Sequence, residues 1–181
     1  MFFDFDRFWD HLNKKYPQCL NFFICFDKNN IFIGSTPERL IQMNTTLFSI
    51  DAIAGSCANK ENIYHAKEIN EHTYVIEHIK NKMVKMSSNL SIPKSPSVLK
   101  LDYIYHLHTF ISGILKKKKH ILEVLVNLYP TPALLGSPQN KATKIINLYE
   151  SIDRGWYGGC IGIYDDAGNG KFYVPIRSGL I

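Results

Sequence analysis

Hydrophobic and polar positions follow several distinct rhythms along this chain, and each rhythm predicts an element. Phe5, Phe8, Trp9 and Leu12 fall at i, i+3, i+4 and i+7, the spacing that gathers side chains on one helix face, so a helix is expected over 5–16 and ends at Pro17. Two apolar runs, 22–26 and 31–34, flank Asp27-Lys28-Asn29-Asn30, whose turn-forming residues predict a β-hairpin tip. A third run, 47–53, predicts a strand continuing that sheet. Over 61–86 the pattern predicts one long amphipathic helix with Ile69, Tyr74, Val75, Ile76, Ile79 and Val84 on its apolar face, ended by the polar Ser87-Ser88-Asn89. Pro93 and Pro96 mark a connector, and 98–111 returns to strand-like residues. Helices are then expected over 121–128 and 139–151, separated by a Pro- and Gly-rich loop over 129–138. Closing strands fit 159–164 and 172–176, and no internal repeat is visible. The final run from Arg177 to Ile181 is apolar and strand-like, which predicts an unpaired sheet edge and a missing neighbouring stretch of polypeptide.

Composition narrows the class. A chain of 181 residues, 45% hydrophobic and 13% aromatic, buries one sizeable core, so a single domain or part of one is expected over 1–181. No apolar run reaches the roughly 18 to 20 residues of a membrane span, and Met1 to Asp6 lacks a basic leader, so a soluble protein without a membrane partner is expected. The formal net charge of +5 suits an anionic partner. The lysine tract at 116–119 reads as a solvated loop, because no interleaved aromatic platform accompanies it, and nucleic acid is therefore not expected as a partner. Cys19, Cys25, Cys57 and Cys160 form no CxxC pair and read as reduced, mostly buried thiols.

Four glycine-bearing strings interrupt otherwise regular sequence: GSTPERL over 34–40, AIAGS over 52–56, TPALLGSP over 131–138 and DRGWYGGCIG over 153–162. Each alone is compatible with an ordinary turn. In this order, and continued by KEINEH over 67–72, HLHTFISG over 106–113 and GNGKFYVPIRS over 168–178, they resemble the catalytic domain shared by isochorismate, salicylate, anthranilate and aminodeoxychorismate synthases. YPTPALLGSP resembles the isochorismate and salicylate branch, which points to water as nucleophile. Ala54 occupies the place where the aminodeoxychorismate enzymes that attack through an amine carry lysine.

The resemblance implies an α+β fold, part of the family's antiparallel sheets with packed helices, and a Mg2+-dependent conversion of chorismate to isochorismate. It would feed menaquinone, phylloquinone or a siderophore, in the cytoplasm or, for a plastid-encoded chain, the stroma. Salicylate synthesis is the neighbouring alternative. Residue by residue, the resemblance makes Glu38 the general acid that protonates the leaving hydroxyl, Glu71 a Mg2+ ligand and Arg177 the clamp on a substrate carboxylate. Gly55, Ser56, Gly158 and Gly159 would supply backbone donors or clearance. Ala133, Leu134, Tyr157 and Ile176 would shape the ring pocket, and His106 would face the substrate. Plainer readings stand beside two of these, Glu38 pairing with Arg39 and Glu71 with Lys67 four residues earlier, while the His106–His108 pair suggests zinc but has no third ligand in sight, so zinc is not expected. Glu150 and Arg154, also four apart, read as a structural pair.

The family's KVVLAR-like strand, bearing the lysine that activates water, has no counterpart here, nor has the EWxExxxK segment with a second metal-binding glutamate. The connection from AIAGS to KEINEH is short, and LYP replaces LHP. Three readings follow: a split enzyme completed by another polypeptide, a weakly binding remnant, or a non-catalytic module that docks on a complete relative and regulates it.

Overall fold

The computed structural model of the protein describes residues 4–27 and 30–181. Helix α1 (Phe5–Lys15) forms where the aromatic spacing predicts it, capped by the Asp4 carboxylate accepting from the Arg7 N–H at 3.1 Å. Strands β1 (Leu20–Cys25) and β2 (Ile31–Thr36) pair antiparallel as expected, although part of the hairpin tip, 28–29, lies outside the described residues.

Strands β3 (Arg39–Asn44) and β4 (Leu47–Cys57) follow, then helix α2 (Ala66–Met83), strands β5 (Ser87–Ser91), β6 (Ser97–Leu101) and β7 (Ile104–Leu115), and helices α3 (Ile121–Leu128), α4 (Pro132–Leu135) and α5 (Gln139–Tyr149). Strands β8 (Ile161–Tyr164), β9 (Gly170–Tyr173) and β10 (Ser178–Leu180) complete the chain. Two sheets result: a three-stranded one in the order β1-β2-β10, and a seven-stranded one in the order β5-β7-β4-β3-β9-β8 with β6 also on β7. All the pairings are antiparallel, so the architecture is α+β.

Alternation fixes the core face of the large sheet. On β4, Phe48, Ile50 and Ala52 turn inward, and on β7 Leu107, Thr109 and Ile111 do the same. Helix α2 covers this face with Glu68, His72, Val75, Ile79 and Met83, a stripe stepping by three or four residues, and α3 adds Ile121, Val124, Leu125 and Leu128. His72 is tied to the sheet by a 2.8 Å bond between its Nε2 and the Thr109 hydroxyl.

Several expectations need correction. The run 47–53 joins the larger sheet, not the hairpin's. The long helix over 61–86 is a short 3-10 turn (Lys60–Asn62), then α2, then β5, a polar strand paired to β7 that reads as a helix end because Ser87, Ser88 and Asn89 hide its alternation. Tyr74 and Val84 face outward while Glu68, His72 and Met83 are buried, so the apolar stripe is rotated from the expected one. The residues 98–111 belong to two strands of a hairpin turning at Asp102 (φ 53°). Strand β3 was not foreseen: a bulge against β9 between Arg39 and Ile41 leaves Leu40 and Ile41 both buried, which breaks the period of two. The closing run pairs on one side, Ser178, Gly179 and Leu180 lying opposite Gly34, Ile33 and Phe32 of β2, and as expected it forms an edge of its sheet, in the order β1-β2-β10. All four cysteines are free, but Cys25 and Cys160 are exposed and Cys19 and Cys57 half-buried, so none is a core thiol.

Candidate active site

Where β2, β4, β7, α2 and the β9–β10 link converge, a cavity of about 610 Å³ opens. It gathers eight of the residues singled out from sequence, Glu38, Gly55, Ser56, Glu71, His106, Ala133, Ile176 and Arg177, although they span 140 positions of the chain. Leu134, Tyr157, Gly158 and Gly159 do not line it. Leu134 packs against the core, and a side chain on Gly158 would stand 3.3 Å from Leu134 Cδ2. The Gly158 N–H donates to the Pro175 carbonyl (3.1 Å) and the Gly159 N–H to the Trp156 carbonyl (3.2 Å), which leaves clearance rather than donation as what these glycines offer here. Tyr157 lines a separate cleft with Phe26, Trp156 and Leu180.

A β-bulge sets the strand wall. Ala54 pairs with Leu107, yet Ser56 pairs with His106, so the two strands advance by two residues and one respectively. Gly55 is the extra residue, at φ 71°, and the shift turns Ser56 to the same face as His106. A Cβ at Gly55 would meet the Glu68 carbonyl oxygen at 2.4 Å, so glycine also lets α2 approach the strand.

Glu38 follows β2 and is 5% exposed. Its carbonyl accepts from the Val174 N–H at 2.9 Å while the Thr36 hydroxyl donates to the Val174 carbonyl at 2.6 Å, a clamp that holds the link between β2 and β3 against the segment after β9. Burial pushes the Glu38 carboxyl up to about 7, against the opposing pull of the Arg177 guanidinium. A carboxyl poised there can hold a proton at neutral pH and give it up. Glu38 does not pair with Arg39, whose Nε meets Asp51 at 2.8 Å.

Arg177 sits at φ 52°, a left-handed conformation uncommon for a non-glycine residue, and its carbonyl accepts from the Ser35 N–H at 3.2 Å. Its Nη2 lies 2.8 Å from His106 Nε2, and His106 Nδ1 lies 2.6 Å from Ser56 Oγ. Burial, aided by the Arg177 charge, lowers the His106 ring to about 4, so it is neutral near pH 7. His108 turns to Asp51 (2.8 Å) and so shares no partner with His106, and among the described residues no group of three or more His, Cys, Asp or Glu is placed to hold a metal.

Glu71 stands at the open rim with its side chain 48% exposed and paired to Lys67 at 2.9 Å. The plain ion-pair reading is thus realised, and Glu71 also lines the cavity. A hard oxygen donor at a hydrated rim fits one ligand position of Mg2+, which accepts one or two carboxylates and keeps several waters. Tyr74, missed as a lining residue because it was assigned to the core face, is three residues from Glu71 on the same helix. Helical spacing from Glu71 would have found it. Glu150 and Arg154 pair as expected, with Nε and Nη2 on one guanidinium edge donating to the two carboxylate oxygens, but beyond the end of α5 rather than on it.

The layered sheets and this cavity define a chorismate-utilising enzyme fold. The chain belongs to the family described as chorismate binding enzyme, whose sequence profile matches residues 2–181. It is 38% identical over 161 residues to the isochorismate synthase MenF of Bacillus subtilis, an alignment covering 83% of this chain and 34% of that protein. It is 30% identical over 179 residues to the isochorismate synthase EntC of Escherichia coli K12, covering 93% and 46%. The crystal structure of DhbC from Bacillus anthracis superposes with a TM-score of 0.92 at 27% identity, over 99% of this chain and 52% of that one. The chain therefore spans between a third and a half of the length of these curated relatives.

Proposed function

We propose that the cavity binds chorismate and serves its Mg2+-dependent conversion to isochorismate, in a pathway to menaquinone, phylloquinone or a siderophore. The observation that carries this reading is Glu38: a buried carboxyl held to about 7 in the same cavity as Arg177. Arg177 would hold a substrate carboxylate through its planar fork. Glu38 would deliver its proton to the C4 hydroxyl, which leaves as water while a second water forms the new C–O bond at C2 and gives its proton to a base. Mg2+, with Glu71 as one ligand, would neutralise charge on the ring carboxylate.

The base is the open element. Among the described residues no lysine lines the cavity, and both His106 nitrogens are engaged. A base and a further metal carboxylate would then come from polypeptide outside these residues, and the same observation supports a second reading in which the chain binds chorismate without turning it over. Incubating the purified chain with chorismate and Mg2+, alone and with a polypeptide carrying the KVVLAR-like and EWxExxxK-like segments, and separating products by chromatography tests both. Isochorismate only in the mixture supports the first reading. Binding without product in either arm supports the second, and absence of binding removes both.

A further inference from the structure

The contact between Arg177 and His106 has one proton arrangement open to it. A guanidinium has donors and no lone pair, so at 2.8 Å the His106 Nε2 must be the acceptor. A neutral ring whose Nε2 accepts carries its proton on Nδ1, and that N–H then points at Ser56 Oγ, 2.6 Å away. The Gly55 bulge is what puts Ser56 opposite His106, so the backbone irregularity and the tautomer belong to one device. The left-handed backbone at Arg177 and the Ser35 N–H on its carbonyl fix the other end of the side chain.

We infer that His106 is a positioning residue, locked by Ser56 as the Nδ1–H tautomer so that its Nε2 lone pair aims the Arg177 guanidinium into the cavity. One of the five guanidinium N–H donors is spent on the ring, and the planar fork is oriented for an anion by a partner that adds no charge. An imidazolium in that place would set two cations side by side and turn the arginine away. The same arrangement leaves His106 without a free lone pair, so it does not activate water. The inference rests on the chorismate reading only for what Arg177 holds.

Nitrogen-15 spectra of histidine-labelled chain at pH 7, with the His106 signals assigned through His106→Gln, test it without substrate. The expected result is a protonated, pyrrole-type Nδ1 and an unprotonated, pyridine-type Nε2. A pyrrole-type Nε2, or an imidazolium, overturns the inference. Calorimetric titration with chorismate supplies the second arm. His106→Leu should weaken binding on the order of tenfold, whereas His106→Gln, whose amide oxygen can still accept from Arg177, should stay within about threefold of the parent. Equal binding by parent and Leu variant, or equal losses in Gln and Leu, overturns the positioning role. If the parent chain binds no chorismate, the functional reading fails while the tautomer measurement still decides this one.

Discussion

The strand wall of the cavity and the segment 139–157 both carry strings that stood out in the sequence, but the structure treats them differently. Along the wall, Glu38 and His106 are each 5% exposed and every irregularity, the Gly55 bulge and the left-handed Arg177, aims a side chain into the cavity. In the other segment α5 buries no residue, and Leu148, Tyr149 and Ile152 are 76, 79 and 81% exposed. Glycine marks both, at Gly55 in the wall and at Gly155 in the other segment. What separates them is whether neighbouring elements close over the marked residues. Strain and burial of polar groups cost free energy, so they persist where surrounding packing over-determines them, and that condition holds at the wall.

The contrast breaks most readily at Gly55. Gly55→Ala places a methyl against the Glu68 carbonyl in a backbone conformation that L residues disfavour, and a loss of about 3 kcal/mol is expected from overpacking and strain together. Urea unfolding measures it, and a loss below about 1 kcal/mol would mean that the bulge relaxes freely and the wall is not over-determined.

Glu38→Gln gives an effect of similar size and opposite sign, dependent on pH. The folded-state value of about 7 lies above the ordinary 4.5, so the folded protein holds a proton that the unfolded chain releases earlier. Stability from this group is present in full below pH 4.5 and is lost as pH rises through 7. The difference is about 3 kcal/mol at one pKa unit per 1.36 kcal/mol. Glutamine carries no such penalty. The variant should therefore match the parent at pH 4 and exceed it by about 3 kcal/mol at pH 8.5, and parallel stability profiles would show that Glu38 is not desolvated.

These two positions also show what the sequence could reveal. The helices α1 and α3 and the first hairpin were legible because amphipathic spacing and turn residues agree locally. The cavity residues were legible only as ordered motifs, since no local pattern says that Glu38 and Arg177 meet. The Gly55 bulge, the β3 irregularity and the partner of β10 were hidden because they depend on pairing between distant segments. The bonding of Gly158 and Gly159 was hidden for the same reason: their N–H groups donate to the Pro175 and Trp156 carbonyls, which the spacing around them does not disclose.

The rim lies between the two extremes, and Lys67 probes it. Lys67→Ala removes an exposed i,i+4 partner of Glu71, so no measurable change in the urea midpoint is expected. Mg2+ affinity, followed by calorimetry in the presence of chorismate, should rise by about twofold to fivefold as a competing ammonium leaves the carboxylate. A fall in affinity would remove Glu71 from the metal role.

The smallest effect is expected in the segment that the fold leaves uncovered. Replacing Leu148 and Ile152 by serine takes apolar side chains that are already mostly in water and exchanges them for polar ones, so little buried area is lost. Serine lowers helix propensity slightly at position 148, and the combined change should stay within about 0.5 kcal/mol by urea unfolding. Arg154 provides the internal control, since its Nη1 donates to the Leu134 carbonyl at 3.2 Å and joins the segment to α4. If the double serine variant lost about 2 kcal/mol or more, the face would be packed in solution, as by self-association, and the contrast with the strand wall would collapse. Repeating the titration over a hundredfold range of protein concentration separates those cases, because a loss that comes from disrupted association changes with concentration and a loss within one chain does not.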